Sequence, residues 1–98
     1  MSEPLIVVAR VRAKAGQEAR LRHELQGLVS PTRAEAGCLR YDLHESKTEP
    51  GWFLLYEMWK SEADLDTHFQ TPYLKAFFQM APEHTDGPSE VTKWMKLE

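Results

Sequence analysis

The first third of the chain shows two hydrophobic periods, one typical of a strand and one typical of a helix. The Val-rich segment from Leu5 to Ala13 predicts a strand. After Gly16, apolar residues recur at every third or fourth position, which is the spacing of one helical face. Pro31 is expected to disturb the C-terminal part of this helix, and Gly37 to end it. The positions that carry the helical period are Leu21, Leu25 and Leu28.

The middle of the chain predicts two strands joined by a turn. Leu39, Tyr41 and Leu43 alternate with polar residues, as in a strand with one buried face. The segment from Trp52 to Trp59 is almost continuously apolar, which predicts a strand buried on both faces. The Glu-Pro-Gly sequence between these segments is typical of a turn.

The last third of the chain predicts an interrupted helix and a final strand. Ser61 precedes an acid-rich helical turn, which is the pattern of an N-cap. Pro72 breaks the helix and restarts it, because Pro suits the first helical position. A strand is expected from Val91 to Leu97. The order β-α-β-β-α-β predicts an α+β fold, the ferredoxin-like split sandwich, in one domain covering residues 1–98.

The two-sided apolar pattern of the third strand also predicts an assembly. In this fold the first and third strands are central and the second and fourth are edges, and two helices cover only one face of the sheet. A large apolar face left in water is rare in monomers, and a two-fold symmetric second copy is the commonest cover. The pattern therefore predicts a homodimer in which two sheets pack into an α/β barrel.

Composition and charge exclude several classes of protein. The 98 residues are 42% hydrophobic and 28% charged, which is ordinary for a soluble globular domain. A net charge of −3 argues against nucleic-acid binding, because phosphate contacts require clustered cations. The longest apolar run, at 5–9, is far shorter than the roughly 20 residues that cross a bilayer, and it lacks a signal-peptide layout. We therefore expect no membrane partner and a cytoplasmic location.

Cysteine and histidine usage gives no sign of a metal site. Cys38 is the single cysteine, so no disulfide can form within the chain, and a role in packing is expected. The four histidines lack the spacings typical of metal ligands. His23, His44 and His84 are expected at the surface, which leaves His68 as the histidine with the most informative position.

Glu57 and His68 are the candidate catalytic residues. Glu57 shares one face of the third strand with Phe53, Leu55 and Trp59, so its carboxyl needs a partner or a raised pKa. His68 lies on the apolar side of the next helix, which is expected to return over the sheet and bring the imidazole near Glu57. Such a pair would orient a general base. It could equally be a structural tie between helix and strand.

Flat apolar side chains are concentrated around this pair. Each of these side chains taken alone fits an ordinary core, but their number exceeds what the core of a small domain requires. A pocket for a planar ligand between the helices and the sheet is therefore plausible. The candidate substrate-binding residues are Trp59, Phe69, Tyr73, Phe77 and Phe78.

Two segments of the chain, AGCLRYDLHES and GWFLLYEMWKSEADLDTHFQTPYLKAF, resemble the antibiotic-biosynthesis monooxygenase family, and in particular its quinol monooxygenase branch. The family pattern is a Gly-Cys-x-x-Tyr strand, an aromatic strand ending in Tyr-Glu-x-Trp, and then Ser-x-x-x-Leu-x-x-His. The residues that match it here are Gly37, Cys38, Tyr41, Tyr56, Glu57, Trp59, Leu65 and His68.

The resemblance implies an oxidoreductase that oxygenates a quinol or phenolic aromatic with dioxygen, without metal, flavin or haem. It implies His68 as the acid/base residue and Glu57 as the residue that orients it. Two departures from the family pattern argue against a site with two histidines and against haem degradation. Many relatives carry a His where this chain has Tyr73, and the haem-degrading branch needs an Asn, which this chain lacks entirely.

Two further functions stay open at this point. One is a non-catalytic dimeric module that binds a small molecule, and the other is a family isomerase acting on a small signalling metabolite. An open pocket of roughly 300 Å³ or more with His68 at its wall would favour the enzyme, and a filled interior would favour the binding module.

Overall fold

The computed structural model describes residues 3–98. Four strands, three helices and a short 3₁₀ turn follow one another in the predicted order. They are β1 (Leu5–Arg12), α1 (Glu18–Arg33), β2 (Cys38–Glu45), β3 (Trp52–Trp59), α2 (Glu62–Phe69), α3 (Pro72–Met80), the 3₁₀ turn (Ala81–Glu83) and β4 (Glu90–Trp94).

The strands form one antiparallel sheet in the order β2-β3-β1-β4, so the predicted ferredoxin-like topology is confirmed, with β1 and β3 at the centre. The register places Val7 of β1 and Tyr41 of β2 on either side of Glu57. All three side chains are buried. The carboxyl of Glu57 thus lies in the middle of the sheet, on the face that the helices cover.

The core occupies the space between this face and the helices. Alternate residues of β3 are buried, as the two-residue period of a strand requires. The predicted face of α1, Leu65 of α2, and Leu74 and Phe77 of α3 cover the core on the side opposite the sheet. The buried helical residues include Leu21, Leu25, Leu28, Leu65 and Leu74.

Two predictions about element boundaries were wrong. Pro31 does not disrupt α1, which continues to Arg33. Proline removes one backbone donor, but the last turn is still completed by hydrogen bonds from the backbone N–H groups of Ala34 and Glu35 to the carbonyl oxygens of Ser30 and Thr32. The last strand begins one residue earlier than expected and ends at Trp94, and the Met95 and Leu97 side chains beyond it are exposed.

The start of α2 is fixed by two local contacts. The Ser61 hydroxyl accepts a hydrogen bond from the backbone N–H of Asp64 at 3.2 Å, which confirms the predicted N-cap. Gly37, just before β2, lies so close to α2 that a Cβ there would be 2.4 Å from the Cβ of Asp64. Only glycine allows this approach, which sets the position of α2 over the sheet.

The opposite face of the sheet has no helix over it. Trp52, Leu54, Tyr56 and Met58 of β3 point to this outer face and are half-buried. The guanidinium of Arg10 lies 4.5 Å from the centre of the Trp52 ring. The apolar outer face is the feature that predicts a homodimer, and the dimer stays a prediction. None of the helices within residues 3–98 is long and apolar enough to cross a membrane.

Candidate active site

His68 lies at the centre of the candidate site, on the side of α2 that faces the sheet. Its side chain is buried, with 2% of the residue exposed. The imidazole packs against two rings of the sheet, with ring centres 4.6 Å from Trp59 and 5.6 Å from Tyr41. The sequence therefore placed His68 correctly on the apolar side of the helix.

The hydrogen-bond partner of His68 is Glu35, not Glu57 as the sequence suggested. Nδ1 of His68 lies 2.8 Å from Oε2 of Glu35, in the loop between α1 and β2. The Tyr73 hydroxyl donates to the same carboxylate oxygen, and it also lies 3.3 Å from the carbonyl oxygen of Pro31. Glu35 thus joins a residue of α2 to a residue of α3.

The sequence analysis missed Glu35, although one signal was available. Glu35 follows the C-terminus of α1 by two residues. A carboxylate near a helix C-terminus is unfavourable because of the helix dipole, so its presence there calls for a compensating partner. The donors from His68 and Tyr73 provide that compensation, while Oε1 of Glu35 is buried without a partner among the described residues.

Glu57 is held by its neighbour on the strand. Its Oε1 accepts a hydrogen bond of 2.9 Å from Nε1 of Trp59, two residues along and on the same face. The residue is 4% exposed. Burial raises the pKa of Glu57 to about 7; the Trp59 donor opposes this rise and the nearby Glu35 charge adds to it. The predicted burial of Glu57 is confirmed, whereas its predicted pairing with His68 was wrong.

The protonation of His68 follows from its surroundings. Burial lowers the pKa of His68, and the hydrogen bond and charge of Glu35 partly oppose this effect. The neutral imidazole carries one proton, and the carboxylate favours that proton on Nδ1. Nε2 then has a free lone pair and makes no hydrogen bond with residues 3–98. The arrangement of Glu35 and His68 suits a general base.

A narrow cavity lies beside these groups, between the sheet and the helices. We call it the inner cavity; Glu57 and His68 line it, together with Tyr41 and the aromatic residues Phe69, Phe77 and Phe78. Its volume is about 40 Å³. This is well below the roughly 300 Å³ that a typical ligand pocket requires, so the size expected for the enzyme is not met.

The predicted aromatic residues do not all reach the inner cavity. Phe69, Phe77 and Phe78 line it and also contact one another, with ring centres 5.6 to 6.3 Å apart. Trp59 is fully buried behind His68, and Tyr73 is turned toward Glu35. Trp59 and Tyr73 thus support the catalytic candidates rather than form the wall of the cavity.

Two other residues, His84 and Cys38, complete the comparison with the sequence. His84, expected at the surface, is fully buried and packs beside Phe77, because the 3₁₀ turn folds it inward. Burial raises the pKa of the Cys38 thiol, which disfavours the reactive thiolate. Within residues 3–98, no group of three or more His, Cys, Asp or Glu side chains converges to hold a metal ion.

Several proteins of known sequence are similar to this chain. The protein sll1783 of Synechocystis is 34% identical over 89 residues, which are 91% of this chain; the chain spans 60% of the length of that protein. A protein of Escherichia coli named "Probable quinol monooxygenase YgiN" is 29% identical over 83 residues, covering 74% of this chain and 80% of that protein.

Solved structures and the family comparison agree with the fold. PA3566 from Pseudomonas aeruginosa has a TM-score of 0.95 and 34% identity, covering 100% of this chain and 98% of the other. Rv0793 from Mycobacterium tuberculosis has a TM-score of 0.90 and 33% identity, covering 98% and 97%. Residues 4–80 match the family described as "Antibiotic biosynthesis monooxygenase". The chain therefore belongs to the antibiotic biosynthesis monooxygenase family.

Proposed function

We propose that this protein is a monooxygenase that oxidises a quinol or phenolic aromatic with dioxygen, and that the substrate itself supplies the electrons. The observation that carries the proposal is the His68 imidazole, held through Nδ1 by Glu35 and left with a free Nε2 beside an aromatic-lined cavity. The name of the Escherichia coli relative, which refers to a quinol, supports this substrate class.

The first step is removal of a phenolic proton by Nε2 of His68. The imidazolium that forms is stabilised by the carboxylate of Glu35, as a buried carboxylate stabilises the histidine of other catalytic pairs. The resulting phenolate is electron-rich and reduces dioxygen. For a quinol, one oxygen atom enters a ring carbon and the other leaves as water; the substrate gives up four electrons and becomes a hydroxyquinone.

Glu57 has the acidity to return a proton to the reduced oxygen. With a pKa raised to about 7 by burial, a large share of the carboxyl is protonated near neutral pH. Trp59 holds one of its oxygens, which fixes the orientation of the group. The surrounding Phe side chains exclude water, which protects a reactive intermediate and strengthens the electrostatic interactions.

Binding of a ring requires the inner cavity to widen. Phe69 and Phe78 are partly exposed and lie at its outer end, so their rings can move without opening the core. We also propose that the protein acts as a homodimer whose outer sheet faces pack together. This pairing would bury the half-exposed side chains of Trp52, Tyr56 and Met58.

Two observations favour the alternative of a non-catalytic binding module. The cavity is small, and the contacts of Glu35 with His68 and Tyr73 tie α2 and α3 to the loop after α1. In that case, replacing His68 costs stability, about 1–3 kcal/mol for a buried group left unpaired, and there is no turnover to lose.

Dioxygen uptake separates the two functions. Chelator-treated protein is mixed with a panel of hydroquinones and polycyclic phenols, and oxygen is followed with an electrode beside a buffer blank. We expect uptake by the unmodified protein, a loss of 100-fold or more in His68→Ala, and no change in His44→Ala, which alters an exposed histidine of β2. Thermal unfolding of each variant shows that it is folded. No uptake across the panel, or an equal rate in His68→Ala, contradicts the proposal.

A further inference from the structure

An apolar surface groove lies next to the inner cavity, between the end of α3 and the start of β4. We call it the outer groove. Its volume is about 520 Å³, more than ten times that of the inner cavity. The residues that form it include Phe78, Ala81, Pro82, Pro88, Ser89 and Val91.

The outer groove and the inner cavity are adjacent. Phe78, Ser89 and Val91 line both spaces, so these side chains form the boundary between them. Phe78 and Val91 are large apolar residues that remain 42% and 40% exposed. A molecule entering through this boundary would cover both of them while its leading end reaches toward His68.

The lining of the outer groove defines the chemistry of its occupant. No Lys, Arg, Asp or Glu is among the described residues that line it, so nothing there would hold a phosphate or a carboxylate. Two prolines, an alanine, a phenylalanine and a valine offer aliphatic and aromatic surface. Such a surface gains free energy by covering hydrocarbon, by about fourfold in affinity for each methylene group buried.

We propose that the outer groove is a substrate subsite that holds a hydrocarbon substituent of the ring oxidised at His68. The inference rests on the proposed function for the position of the ring, and it names the substrate class as quinols or phenols that carry an alkyl or isoprenoid-like arm. The ring enters the widened inner cavity, and the arm lies over Phe78, Val91 and the prolines.

The test compares two oxidised ligands that bind without turnover, a 1,4-naphthoquinone with a methyl group and one with an n-hexyl group. Their dissociation constants are measured by quenching of tryptophan fluorescence. We expect the hexyl compound to bind at least tenfold more tightly, which corresponds to two or more buried methylene groups. Ala81→Glu places a carboxylate in the groove and is expected to reduce this advantage to less than threefold.

Ala63→Glu is the matched control, since it makes the same substitution at an exposed position of α2 outside the groove. It is expected to keep the full advantage of the hexyl group. If Ala81→Glu does not fold, Pro88→Ser replaces it and is expected to weaken the advantage at least twofold. Equal affinity for the two ligands, or an advantage unchanged in the groove variants, overturns the subsite.

Oxygen uptake by the matching quinols separates this inference from the proposed function. A tail-dependent affinity without uptake refutes the monooxygenase and supports the subsite. Uptake with no preference for the longer arm supports the monooxygenase and refutes the subsite. Failure of both rings to bind contradicts both proposals. If the groove is instead covered by a second copy of the chain, Ala81→Glu dissociates the dimer and the ligands show no tail preference, which also refutes the subsite.

Discussion

Replacing Glu57 with Gln tests the electrostatics of the site directly. The side chain is buried in the middle of the sheet, and its one hydrogen bond comes from Nε1 of Trp59. A glutamine oxygen can accept the same hydrogen bond and fills nearly the same volume. The substitution therefore removes the ionisation of the group while it keeps the packing.

The size of the expected change in stability follows from the raised pKa of Glu57. The carboxyl titrates near 4.5 in the unfolded chain and near 7 in the folded protein. Between these values the folded state binds more protons than the unfolded state, so stability falls as the pH rises through this window. The full cost of ionising Glu57, about 3 kcal/mol, is reached above pH 7, and most of it is absent at pH 5.

The assay is urea unfolding followed by tryptophan fluorescence from pH 5 to pH 8.5, at fixed protein concentration. Glu57→Gln should gain about 3 kcal/mol relative to the unmodified protein as the pH rises, which is roughly 12–24 °C in the unfolding temperature of a domain of this size. The lowered pKa of His68 makes stability fall at acidic pH, but this effect is common to both proteins and cancels.

Glu49→Gln is the control, because Glu49 is exposed in the turn between β2 and β3. It should show no gain that depends on pH. The reasoning is refuted if Glu57→Gln and the unmodified protein keep a constant difference in stability across the whole range.

Three further predictions concern the support of the site and the assembly. Gly37→Ala should cost about 1–3 kcal/mol and lower turnover by moving α2, whereas Gly27→Ala, in an open position of α1, should stabilise by up to about 1 kcal/mol; chemical unfolding of both variants checks this. Glu35→Gln should reduce the rate of oxygen uptake about tenfold and move the acidic limb of its pH profile downward, because the charge that raises the pKa of His68 is lost; an unchanged profile would refute a positioning role. Met58→Asp should convert a dimer into a monomer in sedimentation experiments, and a monomeric unmodified protein at micromolar concentration would contradict the predicted dimer.

The fold could be predicted from the sequence because its signals are local and mutually consistent. The apolar run of β3, the helical spacing in α1 and the cap at Ser61 each determine an element by their own chemistry. Pro31 shows the limit of such rules: the helix continues through a residue without a backbone donor, and its last turn is completed by hydrogen bonds to the carbonyl oxygens of Ser30 and Thr32.

The candidate site was only half predictable for the same reason. The burial of Glu57 and His68 follows from hydrophobic period, and both were identified. Their partners depend on where a loop and a side chain meet in space. The position of Glu35 after the helix C-terminus indicated that it needs a partner, but it did not indicate that the partner is His68. The burial of His84 likewise comes from the 3₁₀ turn that precedes it, and no strong sequence pattern predicts that turn.

The protonation state of His68 is the most direct test of the central claim. Nitrogen-15 correlation spectra of the histidine side chains, with His68 assigned from its absence in His68→Gln, show which ring nitrogen carries the proton. We predict a proton on Nδ1 facing Glu35, a bare Nε2 at pH 7.5, and a transfer of proton or hydrogen bond to Nε2 when a phenol binds. A proton on Nε2 in the free protein, or an unchanged His68 signal when the phenol is bound, would contradict the account.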